Sequence, residues 1–138
     1  MAVQILIRAN LGFQEPTREQ RLNLSVAFAK KGMILHRDAF DLVRSSSRLS
    51  LSTHESIERS LGGIKVYEVK STRLGNLGPN LRNYFFSLST AELLSAQSLK
   101  RQYRFAFVNI ATRWHKEITL RQVLSKARIV YPEWAIRF

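Results

Sequence analysis

The chain has no cysteine, so disulfide staples and cysteine-ligated zinc are both excluded. Acid is scarce: ten Asp and Glu stand against twenty-two Lys and Arg, for a net charge of +12 and a pI near 10.9. No apolar run approaches the roughly 18 residues that a membrane-spanning helix needs. The opening Met-Ala-Val-Gln-Ile-Leu-Ile-Arg lacks the basic-then-apolar order of a secretory leader. Together with the missing cysteine, this fits the expectation of a reducing, cytoplasmic setting with no membrane partner. His36, His54 and His115 share no metal-ligand spacing, which argues against zinc. There is no Gly-x-Ser-x-Gly elbow, no phosphate-binding loop ending in Gly-Lys-Ser/Thr and no Gly-x-Gly-x-x-Gly. Serine hydrolases and the common nucleotide-binding folds therefore lack support.

What is present fits one domain spanning 1–138, with 45% hydrophobic and 10% aromatic residues to build a core. The basic excess favours polyanions, nucleic acid before an anionic membrane surface. Lys and Arg are spread along the whole chain, so the folded body rather than a flexible arm would grip the partner. A small basic RNA- or ribosome-associated protein would share this composition.

Residues 2–8 read as a first strand. Thr17 and Gln20 form a capping-box pattern opening a helix that ends at Lys30-Lys31-Gly32. Residues 33–36 and 40–43 read as short strands and 45–48 as a polar turn. Residues 49–52 alternate like a strand, and 53–60 fit a helical turn or a loop. Gly62-Gly63 turns the chain into the stretch 64–72, whose β-branched and aromatic density marks a strand. A loop follows over 71–80, then an extended stretch at 84–88. Ser89 or Thr90 caps the next helix, where Glu92 in the first turn reads as a helix-stabilising carboxylate. Residues 103–110 are apolar on both faces and read as a central strand. A short helix over 120–126 and an aromatic tail close the chain. The order implies an α/β or α+β plan, a mixed sheet flanked by helices.

Alternation along 64–72 places Val66, Glu68 and Lys70 on one face and Lys65, Tyr67, Val69 and Ser71 on the other. A carboxylate and an ammonium side by side next to a core can be an ordinary surface ion pair. They also suit metal-dependent phosphodiester hydrolysis, in which the acid holds a divalent cation and the lysine serves the attacked phosphate. That chemistry needs a second acid. Asp41 is the first choice because it sits among apolar neighbours; Glu55 and Glu58 are rivals in a polar stretch, and Glu19 could approach from the first helix.

Asp41, then Glu68-Val69-Lys70, then Phe85-Phe86-Ser87-Leu88-Ser89-Thr90-Ala91-Glu92, then Tyr103-Arg104-Phe105-Ala106-Phe107-Val108, resemble in order and spacing the domain of unknown function at the C-terminus of the plant NO VEIN protein. That family in turn resembles the PD-(D/E)XK nuclease superfamily. The resemblance covers about residues 17–110, leaving 111–138 as an extension. It implies a restriction-endonuclease-like fold and a Mg²⁺- (or Mn²⁺-) dependent DNA endonuclease, of restriction or defence type. Asp41 and Glu68 would be metal-binding and catalytic, Lys70 catalytic, and Glu19 an accessory acid. Arg73, Arg82, Lys100, Arg101, Arg104 and Arg113 would contact the backbone of double-stranded DNA. Some such domains have lost activity, so a nuclease-like module that only binds nucleic acid is the alternative. A homodimer built on Trp134 and Phe138 would bring two sites to the two strands of a duplex.

Overall fold

A computed structural model describes every residue except Asn10, Pro79 and Trp134. The break read at Asn10, the proline of the 71–80 loop and the tail's Trp134 lie outside the described residues. Among the described residues five α-helices, α1 (Ala2–Arg8), α2 (Arg18–Lys30), α3 (His54–Arg59), α4 (Thr90–Leu99) and α5 (Leu120–Lys126), surround four strands, β1 (Leu42–Ser45), β2 (Ile64–Thr72), β3 (Tyr103–Asn109) and β4 (His115–Thr119). The sheet order is β1-β2-β3-β4. β2 and β3 are parallel; β1 and β4 are antiparallel to their neighbours. The parallel pair requires a crossover, which α4 provides. The helix-flanked mixed sheet expected from the sequence is the fold the chain adopts.

The two central strands are apolar on both faces because both faces are covered. On the inner face, Val66, Tyr103, Phe105 and Phe107 pack with Leu24 and Phe28 of α2, Ile57 of α3, Ala96 and Leu99 of α4, and Val123 of α5. On the outer face, Ala2 and Leu6 of α1 join Phe13, Leu42, Tyr67, Ala106 and Val108. Each fully buried apolar side chain of this kind contributes about 1.5–3 kcal/mol. β4 and α5, beyond residue 110, complete the inner core with Ile118, Leu120 and Val123.

The capping box on α2 forms as read: Thr17 Oγ1 accepts from the Gln20 N–H and Gln20 Oε1 from the Thr17 N–H. Gly32, just past the end of α2, adopts φ +77°, the left-handed conformation glycine takes without strain. Three readings are corrected. Residues 2–8 form a helix, because Ala2 and Leu6, four apart, must both face the sheet; so short an apolar run fits either period. Residues 33–36 are not a strand: Ser98 and Ser95 hydroxyls on α4 take the N–H groups of Ile34 and His36, leaving no ladder. Residues 49–52 likewise stay outside the sheet. The extended stretch read at 84–88 is a strap outside the sheet, with Tyr84, Phe86 and Leu88 packed on the inner core and Phe85 exposed. β4, which no sequence signal marked, is polar on one face and only five residues long. Among the described residues no helix is long and apolar enough to cross a membrane.

Candidate active site

Glu68 and Lys70 project from β2 onto the inner face, beside Phe105 and Phe107 of β3, as their register requires. The β1–β2 register pairs Leu42 with Tyr67, so one step further Asp41 stands opposite Glu68. Two hydrogen bonds fix it there. The Asp41 N–H donates to the Tyr67 carbonyl at 2.7 Å, and Asp41 Oδ2 accepts from the Val69 N–H at 2.8 Å. Asp41 is thus clipped to β2 on both sides of Glu68. Arg21 of α2 holds the bend that delivers it, donating to the Phe40 carbonyl with its guanidinium 5.2 Å from the Phe40 ring centroid.

A third carboxylate joins from α4. Ser89 caps that helix: its Oγ accepts from the Glu92 N–H at 3.1 Å, and Glu92 Oε2 accepts from the Ser89 N–H at 3.2 Å. The same Oε2 takes the Lys70 ammonium at 2.9 Å, while Glu68 Oε1 lies 3.4 Å from that ammonium. The side chains of Lys70, Glu68 and Glu92 are only 15%, 13% and 13% exposed. Two carboxylates therefore share one lysine in a poorly solvated recess, and Asp41 adds a third carboxylate next to Glu68. Burial, then the charges of Asp41 and Glu92, push the Glu68 carboxyl up to about 8, against a smaller pull from Lys70. Tyr103, whose hydroxyl donates to the Ala39 carbonyl, is driven far above the usual phenol range by burial and by the charges of Glu68, Glu92 and Asp41.

The other sequence candidates lie elsewhere. Glu19 is exposed in the first turn of α2 and is not among the carboxylates that raise Glu68. Glu55 and Glu58 belong to α3, where they flank His54, and Glu58 also faces Lys30 at 3.8 Å. Arg104 points to the outer face, sharing Glu117 Oε1 with Arg44 at 3.1 and 2.7 Å. Burial, then the charge of Glu117, pushes the neighbouring Tyr67 hydroxyl up to about 12, against the opposing pull of Arg44 and Arg104. Lys100 and Arg101 form an exposed turn before β3; Arg73 and Arg82 are exposed beyond the end of β2; Arg113 is exposed in the β3–β4 turn. The sequence reading gave Glu92 a helix-stabilising role only. Ser-x-x-Glu announces the cap, but nothing local announces that this helix end abuts Lys70.

Glu92 therefore carries both a cap and an ion pair. Glu92→Ala is expected to lower stability by about 1–3 kcal/mol, whereas Glu92→Gln keeps a side-chain acceptor for the cap and loses less. Urea unfolding of the two variants checks this; equal losses would show that the cap contributes nothing.

Among the described residues no group of three or more His, Asp or Glu side chains is arranged as a ready metal cage. The donor set is nonetheless of the type magnesium uses, since that ion is held by one or two carboxylates and keeps several waters. Asp41 and Glu68 supply two hard oxygen donors side by side, with more negative charge than Lys70 balances. No protein-family model, no curated protein and no solved structure matches the chain.

Proposed function

We propose that the protein is a metal-dependent DNA endonuclease with a restriction-endonuclease-like fold, acting inside the cell on double-stranded DNA. The observation that carries this reading is the convergence of Asp41, Glu68 and Lys70 on one sheet face, with Asp41 locked by hydrogen bonds on both sides of Glu68. Asp41 and Glu68 would hold Mg²⁺ or Mn²⁺. When bound, such a cation polarises a phosphoryl oxygen and makes a bound water a better nucleophile. Lys70, already within reach of Glu68, stabilises negative charge as it develops at the attacked phosphate. The surrounding +12 body concentrates DNA at the site.

One observation favours a second reading, a nuclease-like module that binds nucleic acid without cutting it. Lys70 is held more closely by Glu92 than by Glu68, 2.9 against 3.4 Å, so its charge is already matched. Incubating supercoiled plasmid with the purified protein, with and without Mg²⁺ or Mn²⁺, separates the two. Cleavage that requires the metal and stops on chelation supports the nuclease. Retarded but intact plasmid at every metal concentration supports the binding module.

A further inference from the structure

We propose that a cleft on the α1 side of the sheet binds an organic phosphate, a phosphate monoester carrying an apolar or planar body. The cleft measures about 330 Å³ and is lined by Gln4, Ile5 and Arg8 of α1 together with Ile110, Arg113 and His115. That volume is in the range of small-molecule sites. None of its residues belongs to the Asp41–Glu68–Lys70 cluster, so the inference does not rest on the nuclease reading.

Three basic side chains, Arg8, Arg113 and His115, meet at this cleft, and its lining has no acidic side chain. Among the described residues none of the three is ion-paired, whereas Arg44 and Arg104 on the same face share Glu117. Two guanidinium forks and an imidazole approach from three segments: the last turn of α1, the β3–β4 turn and the start of β4. That arrangement suits a tetrahedral oxyanion better than a flat carboxylate, which offers only two oxygens. Ile5 and Ile110 supply an apolar floor on which a base or other nonpolar body can rest.

The turn that presents Arg113 is tightly built. Arg113 has φ +62°, a conformation unfavourable for an arginine, and its N–H donates to the Asn109 carbonyl at 2.7 Å. Asn109 is fully buried. Its Nδ2 donates to the Leu74 and Leu77 carbonyls, both at 3.0 Å, and its Oδ1 accepts from the Ala111 and Thr112 N–H groups at 3.0 and 3.2 Å. The fold thus holds this turn in a strained shape that keeps an unpaired guanidinium at the cleft.

The ligand chemistry has two sources, a free mononucleotide or the 5′-phosphate end of a nucleic-acid strand. The test measures AMP and inorganic phosphate by calorimetry, and a short single-stranded oligonucleotide with a 5′-phosphate or a 5′-hydroxyl by fluorescence polarisation, all at about 0.15 M salt, where general charge attraction is screened. AMP is expected to bind more tightly than inorganic phosphate. Arg8→Gln/Arg113→Asn is expected to weaken AMP about 10- to 100-fold; asparagine tolerates the left-handed backbone at 113. Arg18→Gln/Arg48→Gln, which removes the same charge from residues that do not line the cleft, should leave binding unchanged. A 5′-phosphate advantage that disappears in the cleft variant identifies strand ends as the source; AMP binding without that advantage identifies free mononucleotides. The proposal is overturned if neither probe binds, if both double variants weaken binding equally, or if AMP and inorganic phosphate bind alike. Arg8→Gln alone, on a helix position, decides the matter if the double variant loses its circular dichroism.

Discussion

Lys70→Ala is expected to bind DNA about as tightly as wild type and to cleave it about 10²–10³-fold more slowly. Lys70 is one of twenty-two cations, so its removal hardly changes a grip distributed over many phosphates. In the proposed reaction it would stand at the attacked phosphate, because its ammonium touches the acid cluster. Glu68→Ala should also abolish cleavage, by removing an oxygen donor for the cation. Without metal, and above pH 8 where Glu68 is ionised, that variant should bind DNA slightly better, because it removes negative charge facing the phosphates. The two effects need to be measured together, for wild type and both variants, at one salt concentration. If wild type cuts and Lys70→Ala cuts as fast, β2 is not the catalytic strand. If wild type fails to cut with every metal ion offered and both variants change only affinity, the binding-module reading stands.

Glu68→Gln is expected to melt several degrees above wild type at pH 8 and at nearly the same temperature at pH 4. The Glu68 carboxyl titrates near 8 in the fold, raised first by burial and then by Asp41 and Glu92, against an ordinary value of 4.5. Below 4.5 both the folded and the unfolded chain hold the proton, so this group leaves stability unchanged. Between 4.5 and 8 the unfolded chain ionises while the folded chain keeps its proton, and stability falls as pH rises. Above 8 the loss is complete, on the order of a few kcal/mol at most. Glutamine mimics the neutral acid at every pH and removes that slope. If Asp41 and Glu68 hold a divalent cation, Mg²⁺ at pH 8 should raise the melting temperature of wild type and leave Glu68→Gln nearly unmoved. Scanning calorimetry from pH 4 to pH 8, with and without Mg²⁺, reads both effects. Parallel pH profiles for the two proteins would show that Glu68 does not carry the strained proton.

Local sequence was enough to place Glu68 and Lys70 on one face of a strand, because side-chain alternation along a strand is a property of its backbone. It was enough to start α2 at Thr17 and to place the start of α4 at Ser89 or Thr90, because a cap is made within four consecutive residues. The central place of 103–109 followed from its apolar character on both faces. Other features depend on contacts between distant segments. Residues 2–8 are a helix because of the sheet face they cover, which no seven-residue window contains. Asp41 was an isolated acid until the antiparallel register set it opposite Glu68. Glu92 looked like a capping residue until the packing of α4 brought it to Lys70, and Arg113 one basic residue among many until the buried Asn109 turned it toward Arg8 and His115. Periodicity and caps are written within a few residues, and the sequence alone determines them. Which charges meet is decided by strand register and helix docking, because burial brings together side chains that the chain keeps tens of residues apart.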